Sequence, residues 1–226
     1  MENNSPVLAS VTIQINKYEP YKVANGKNDA TFFVASDDID LADLQRYRQE
    51  TKTECLIAIN TTNKDYDCLE LADNVISCSP DEVPLVMQAF QLLHSGSGFI
   101  GMDWNEVKWA ISSGRNIEFL HGMASGENCV ALACEQLIPK LKNLSSNYPI
   151  TNMMINMFAD ISFGCEQQDF IIQQIDKNLM VNDATTFYQL GFFHEFDYWK
   201  KGEHVCCICM FLVYADKEDD IEPVII

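Results

Sequence analysis

Residues 83–93 read VPLVMQAFQLL, and this stretch decides the fold that we expect for the chain. When it is drawn as a helix, apolar side chains cover nearly every side of it. A helix that is apolar on all sides is buried, because exposing any of its faces to water would be unfavourable. The pattern therefore predicts a buried helix over Glu82–His94, which runs through the middle of the molecule and joins two halves of the chain.

The chain before this helix alternates short apolar strands with one helix. The predicted elements are a helix over Asp40–Glu50 and strands over Val7–Ile15, Thr31–Ala35, Cys55–Asn60 and Asn74–Cys78. This order of strand, helix and strand indicates a parallel sheet. We therefore predict an α/β part over residues 1–81, followed by the connecting helix over residues 82–97.

The chain after the central helix has a different order of helices and strands. The predicted helices are Glu106–Ser112, Asn128–Leu141 and Asp169–Leu179, and the predicted strands are Glu118–Met123, Ile150–Ala159, Thr185–Phe193 and Val205–Tyr214. Four strands and two long helices predict an α+β domain in which helices pack on a sheet. This domain is predicted to span residues 98–216, and an acidic tail is predicted over residues 217–226.

The composition excludes several classes of partner. Acidic residues outnumber basic residues by 33 to 15, so the formal net charge is −18. Nucleic acids and anionic membranes bind through basic contacts, so we expect neither as a partner. Met1–Pro6 is polar without Lys or Arg, and the longest apolar run, Val205–Ala215, is too short to span a bilayer. With nine cysteines and no secretion signal, a cytoplasmic protein with reduced thiols is expected.

Two motifs carry a resemblance to a known family. Residues 98–108 read GFIGMDWNEVK, and residues 122–127 read GMASGE. They resemble the loop after the central helix, and the G-x-A-S-G-E turn, of FtsZ, the bacterial relative of tubulin. The resemblance covers residues 29–216 and is most specific over residues 83–127. It implies an α/β fold with a reduced Rossmann-like parallel sheet, a buried central helix and an FtsZ/tubulin-type C-terminal α+β domain.

The resemblance implies that residues 36–41, SDDIDL, stand in place of the glycine-rich phosphate loop of the family. A helix N-terminus binds phosphate through free N–H groups and its positive dipole, and glycines let the backbone come close. Here Asp37, Asp38, Asp40 and Asp43 crowd that end and can cap the N–H groups themselves. A phosphate about 5 Å from one carboxylate would be repelled by roughly 3 kcal/mol at an effective dielectric of about 20.

An ordinary, well-capped helix is the first interpretation of this acidic loop, and a Mg²⁺ or Ca²⁺ site is the alternative, although no full ligand pattern is present. We predict no nucleotide site, no cofactor and no metal. The earlier family segments that contact nucleotide have no counterpart in residues 1–28, so the chain resembles a shortened relative.

Asp103 and Glu106 are the sharpest functional candidates in the sequence. The resemblance implies that acidic residues of this loop reach into the nucleotide site of the next subunit and position the attacking water, which needs a carboxylate near the γ-phosphate. Asp103 matches the family, whereas Glu106 stands where the family has Asp and Gly101 stands where it has Asn. Two interpretations stay open: a surviving contact role in trans, or a solvated helix cap at Asp103 ahead of Trp104.

Aromatic residues predict a second part of a partner surface. Residues 192–199 are rich in aromatic side chains and are long for the end of a hairpin, and exposed aromatics often mark interfaces. The predicted partner-binding residues are Asp103, Trp104, Glu106, Phe193 and Trp199.

Two further motifs have an ordinary structural explanation. Gly96–Gly101 spells G-x-G-x-x-G but follows a helix, whereas a dinucleotide motif follows a strand, so a flexible turn is expected. His204, Cys206, Cys207 and Cys209 suggest a zinc site, but in a strand Cys206 points away from Cys207 and Cys209. We interpret these cysteines as small buried hydrophobic residues.

These observations lead to two main hypotheses of function. The first is an FtsZ-like protein without GTP binding, a degenerate GTPase that associates with itself or with an FtsZ-type polymer in cell division. The resemblance implies that the chain keeps one face of the longitudinal contact, and a molecule with one face can end a filament but cannot extend it. The second is a GTPase-related enzyme, or a GTPase stimulator acting in trans through Asp103. A stand-alone scaffold with an unrelated role is a third possibility, because fold does not determine function.

Overall fold

The computed structural model describes residues 14–21, 26–62, 64–92, 101–159, 163–179, 184–192 and 205–215. The strands are β1 (Ile15–Lys17), β2 (Ala30–Val34), β3 (Cys55–Asn60), β4 (Asn74–Ser77), β5 (Asn116–Ser125), β6 (Ile150–Ala159), β7 (Thr185–Phe192) and β8 (Val205–Tyr214). The helices are α1 (Leu41–Thr51), α2 (Val83–Leu92), α3 (Trp104–Ser112), α4 (Cys129–Ser145) and α5 (Cys165–Asn178). Two single-turn helices lie at Asp67–Leu71 and Pro80–Glu82.

All eight of these strands form one sheet, in the order β1-β2-β3-β4-β5-β8-β6-β7. Strands β1 to β4 are parallel to one another, as the alternation of elements in the first half predicted. Strand β5 is parallel to β4, whereas β8 runs antiparallel to both of its neighbours, β5 and β6. The short pairing of β4 with β5, which includes Ser77 opposite Glu118, makes the sheet continuous between the two halves of the chain.

Helix α2 is buried against one face of this sheet, as its apolar sequence predicted. Val86, Ala89 and Phe90 have no exposed surface. The Phe90 ring packs edge-on against Phe32 of β2, with ring centroids 5.0 Å apart, and against Phe211 of β8, with ring centroids 5.6 Å apart. Because Phe32 and Phe211 belong to different halves of the chain, α2 joins both halves in a single core.

Two helical layers cover the opposite face of the sheet. Helix α1 forms the first layer and packs on strand residues that include Phe33 and Leu56. Helices α4 and α5 form the second layer and pack on strand residues that include Leu120. Ile76 and Ile117 face α2, and side chains alternate along a strand, so Ser77 and Glu118 point to the opposite face. This arrangement leaves polar side chains on the sheet where the two layers meet.

Gly122 allows α4 to lie directly on β5. A Cβ atom added at Gly122 would lie 2.1 Å from the carbonyl oxygen of Ala133 and 3.1 Å from Cβ of Leu137, both on α4. No larger residue fits without moving the helix, because the nearest obstacle is backbone. The first glycine of the GMASGE motif therefore has a packing function in this chain.

Most predicted element boundaries lie within two residues of those in the structure, and the larger differences concern β1, the end of α4 and the start of α5. The predicted strand Val7–Ile15 lies largely outside the described residues, and β1 extends past its predicted end to the polar residues Asn16 and Lys17. Among the described strands, β1 is at the edge of the sheet and pairs with β2, and an edge strand accommodates polar residues. Helix α5 begins at Cys165, four residues earlier than predicted.

The cysteines of β8 are part of the core, as predicted. Cys207 and Cys209 lie in the core beneath α2, with their Sγ atoms 3.6 Å apart, and Cys206 lies in the core on the other face. All nine cysteines of the chain are free thiols. Among the residues that the structure describes, which exclude His204, no three His, Cys, Asp or Glu side chains are grouped to hold a metal ion. Within the same ranges, no helix has both the length and the apolar character needed to cross a membrane.

Candidate functional site

The loop between β2 and α1 is where the sequence predicted a lost phosphate site, and protein groups occupy the end of α1 there. Oδ1 of Asp40 accepts hydrogen bonds from the backbone N–H of Ala42 at 3.0 Å and of Asp43 at 3.2 Å. Asp40 is therefore the N-cap of α1, which confirms the predicted capping role for this one of the four aspartates. Asp37 of the same loop forms an ion pair with Lys64.

Asp43 adds a second, well-anchored carboxylate to the first turn of α1. It accepts a hydrogen bond from the Tyr18 hydroxyl at 2.6 Å and one from the Tyr21 N–H at 2.9 Å, and it forms an ion pair with Arg46. Hydrogen bonds from Tyr18, the Tyr21 N–H and Arg46 lower the pKa of Asp43 to about 2. The carboxylate is consequently ionised at neutral pH, and it lies at the helix end where a phosphate would need positive charge.

Asp103 and Glu106 form a capping box at the start of α3. The Asp103 carboxylate accepts the Glu106 N–H at 2.8 Å, and the Glu106 carboxylate accepts the Asp103 N–H at 2.7 Å. Both residues are exposed. The structure thus confirms the helix-cap interpretation of Asp103, while a contact role in trans stays a prediction.

The tryptophans of α3 differ from the sequence prediction. Trp104, predicted as a partner-binding residue, is only 8% exposed and packs in the core with Val107, three residues further along the same helix face. The exposed aromatic residue of α3 is Trp109, which is 54% exposed. The helical period decides this difference, because Trp109 lies on another side of the helix from Trp104. The predicted partner residues Phe193 and Trp199 lie outside the described residues.

A polar cleft of about 580 Å³, which no sequence pattern predicted, lies at the pairing of β4 with β5 and reaches Glu82, the residue before α2. Its lining includes Ser77 and Glu118, which are paired across β4 and β5. Lys140 of α4 and the loop that follows β3 also line it. The remaining lining includes Tyr148 and Tyr214, whose rings stack with centroids 5.1 Å apart. We call this feature the Glu118 cleft.

Two carboxylates of the Glu118 cleft have opposite environments. Burial, together with repulsion from Glu82, raises the pKa of Glu118 to about 7. Burial also acts to raise the pKa of Glu82, but contacts with His121 and Ser79 outweigh it and lower that pKa to about 2. Oε1 of Glu82 lies 2.8 Å from Nδ1 of His121, and its Oε2 lies 2.7 Å from both the Ser79 N–H and the Ser79 hydroxyl.

Perturbed carboxyl groups in a cleft mark candidate binding or proton-transfer sites. The available sequence signal for this one was a carboxylate between two apolar residues, Ile117 and Phe119, in a strand. The pairing of His121 with Glu82 joins residues 39 positions apart, so no local pattern could have indicated it.

Comparison with known proteins bears on the fold. No protein-family model matches the sequence, and no curated protein matches it. Solved structures do match. An FtsZ mutant from M. jannaschii matches with a TM-score of 0.60 at 11% identity, covering 83% of this chain and 66% of that chain.

Two further structures give similar values. An empty FtsZ dimer from M. jannaschii matches with a TM-score of 0.50 at 13% identity, covering 81% of this chain and 54% of that one. CetZ from Methanosaeta thermophila matches with a TM-score of 0.51 at 12% identity, covering 84% of this chain and 62% of that one. The present chain is thus similar to between 54% and 66% of the length of these three proteins.

At these identities the similarity concerns the fold alone. It agrees with the buried α2, the mostly parallel sheet and the resemblance carried by residues 98–108 and 122–127. The protein therefore has a tubulin/FtsZ-like fold.

Proposed function

We propose that this protein is a shortened, FtsZ-like cytoskeletal protein that does not bind GTP and acts through protein–protein contacts. In this proposal it associates with itself or with an FtsZ-type polymer, which it caps or modulates. The observation that carries the proposal is the cap of α1. The Asp40 side chain accepts the N–H groups of Ala42 and Asp43, so a phosphate would have to displace a carboxylate to reach them.

The charges around this cap support the absence of a phosphate site. Asp43, with its pKa of about 2, stays ionised over the physiological range. Among the described residues close to the loop, Arg46 is paired with Asp43 and Glu50, and Lys64 is paired with Asp37. A triphosphate at this place would therefore meet fixed negative charge, and Arg46 or Lys64 would have to leave a carboxylate partner to offset it.

The exposed part of α3 supports the protein-contact half of the proposal. Asp103 and Glu106 are exposed at its first turn, and Trp109 is 54% exposed further along. Tryptophan is enriched in the energetically important centres of protein interfaces. We therefore propose Trp109 as a contact residue beside Asp103 and Glu106. The free state of all nine cysteines supports a cytoplasmic location, where thiols stay reduced.

Equilibrium dialysis with labelled GTP and GDP in Mg²⁺ buffer tests the nucleotide half. An active FtsZ in a parallel cell serves as the positive control. We expect no bound nucleotide at concentrations that saturate the control, because the α1 end is capped and acidic. Stoichiometric binding of either nucleotide would refute this half of the proposal.

Co-sedimentation with a polymerising FtsZ, together with sedimentation velocity of the protein alone, tests the contact half. We expect either a change in polymer mass at substoichiometric protein or a concentration-dependent oligomer. The effect should be lost in Trp109→Ala and kept in the matched variant Phe170→Ala, which removes a 39% exposed aromatic residue on α5. A monomer with no effect on the polymer would refute contact as the function. An increase in GTP turnover that Asp103→Ala abolishes would instead favour the stimulator hypothesis.

A further inference from the structure

We propose that the Glu118 cleft binds a cationic group, a primary ammonium or a guanidinium, with the Glu118 carboxylate as its counter-ion. This inference is independent of the proposed function, because the lining residues of the cleft include neither Asp40 and Asp43 of the α1 end nor Asp103, Glu106 and Trp109 of α3. It rests on the shape of the cleft, on the state of its carboxylate and on the character of its walls.

The cleft has the size and lining of a small-ligand site. Its volume of about 580 Å³ lies within the range of roughly 300–1,000 Å³ that such sites occupy. Rigid elements form it, since Ser77 and Glu118 belong to paired strands and Lys140 belongs to α4. Hydroxyl groups of Thr61, Thr62 and Ser77 add hydrogen-bonding partners around the carboxylate.

Glu118 is a carboxylate that has no counter-ion among the residues that the structure describes. No hydrogen bond or ion pair joins it to any residue within the described ranges, although burial and Glu82 oppose its ionisation. Lys140, the cation among the lining residues, donates instead to the backbone oxygen of His121 at 3.3 Å. A buried carboxylate is stabilised by a paired charge, so a bound cation would supply the positive charge that the described residues do not place beside Glu118.

The remaining walls also favour a cation over an anion. Tyr148 is 39% exposed and stacks on Tyr214, and the face of a tyrosine ring attracts ammonium and guanidinium groups. Glu82 adds a second negative charge to the lining. A phosphate would face two carboxylates against one lysine, so the cleft does not suit an anionic ligand.

The titratable groups around the cleft predict how binding depends on pH. Glu82 stays ionised because its pKa is about 2, and burial raises the pKa of Cys78 and of Tyr214 to about 12, so both stay neutral. The other titratable groups are Lys140 and Tyr148, which line the cleft, and His121, which contacts Glu82. Glu118, with its pKa of about 7, changes charge within the neutral range. Binding of a cation should therefore tighten by about tenfold from pH 6 to pH 8 as Glu118 ionises.

Isothermal titration calorimetry on the full chain tests the inference with three probes. These are spermidine, Nα-acetyl-arginine amide and its neutral counterpart Nα-acetyl-citrulline amide. We expect the cationic probes to bind at pH 8 and the citrulline probe not to bind. Binding by spermidine alone would identify a free polyamine as the source of the cation, and binding by the arginine probe alone would identify a protein side chain.

Variants make the assignment specific. Glu118→Gln should weaken binding at pH 8 by about tenfold or more and abolish the pH dependence. A pH dependence that came from His121 would instead remain in this variant. Glu135→Gln, an exposed glutamate of α4 outside the cleft lining, should change neither. Lys140→Gln should tighten binding because it removes a like charge. The inference is overturned if neither cationic probe binds, if the citrulline probe binds equally well, or if Glu118→Gln binds as the wild type does.

Discussion

Replacing Glu118 by Gln should stabilise this protein at alkaline pH and leave its stability nearly unchanged at acidic pH. Glu118 has a pKa of about 7 in the folded protein, against an ordinary value of 4.5. The folded state therefore binds more protons than the unfolded state between these two values, and the free energy of unfolding falls as the pH rises through this window. Glutamine has nearly the same shape and no charge to desolvate, so the variant escapes this loss.

The structure sets the size of the effect. Each pKa unit corresponds to about 1.4 kcal/mol, so the shift of Glu118 gives an upper limit of about 3 kcal/mol above pH 7. The carboxylate is partly open to solvent in its cleft, which screens the interaction, so we expect a gain of about 1–2 kcal/mol at pH 8. Below pH 4.5 the group is protonated in both states, and the difference should disappear.

Urea denaturation followed by tryptophan fluorescence, at several pH values from 5 to 8, measures this difference. Glu135→Gln is the matched control, because it removes the same charge from an exposed position on α4. The reasoning would be refuted by equal stabilities of Glu118→Gln and wild type at pH 8, or by a gain of the same size at pH 5. A gain shared with Glu135→Gln would show that net charge, rather than burial, is responsible.

Three further predictions concern the fold and its caps. Phe90→Ala should lower the free energy of unfolding by about 3–5 kcal/mol, because it opens a cavity between the two halves, and the urea midpoint measures it; a loss under 1 kcal/mol would contradict the central role of α2. Gly122→Ala should cost at least about 1–3 kcal/mol in the same assay through its clash with Ala133, whereas Gly101→Ala, which meets no atom within 4 Å, should not. Asp40→Ala should cost about 0.5–2 kcal/mol through loss of the α1 cap, with lower helix content by circular dichroism; an unchanged midpoint would contradict the cap assignment.

Features that depend on neighbouring residues were predictable from the sequence. The central helix was identified because a nearly all-round apolar pattern predicts burial, and the structure buries Leu85, Val86, Ala89 and Phe90, although Pro84 and Gln91 are exposed. The Asp40 cap was predictable for a similar reason, since an N-cap contacts N–H groups only two and three residues ahead. The bounds of β3, β6 and β8 agree with the prediction, because each is a mostly apolar segment next to residues that favour turns or solvent.

Features that depend on distant pairing were not predictable in this way. The helical pattern around Trp104 does not state which side of α3 meets the core, and the structure buries Trp104 while it exposes Trp109. The ends of β5 lie beyond the predicted strand because β8 pairs with it from Asn116 to Ser125. The Glu118 cleft exists because two helical layers meet on one sheet, and no local sequence pattern encodes that meeting.

Most helices and strands of this protein, its acidic charge, the central helix and the Asp40 cap of α1 were predictable from the amino-acid order alone, because propensity, periodicity and capping act over a few residues. The pairing of β4 with β5 into one sheet, the contact of Glu82 with His121, and the lack of a counter-ion for Glu118 among the described residues all depend on the folded chain. The physical reason is that desolvation and ion pairing depend on which distant groups fold together.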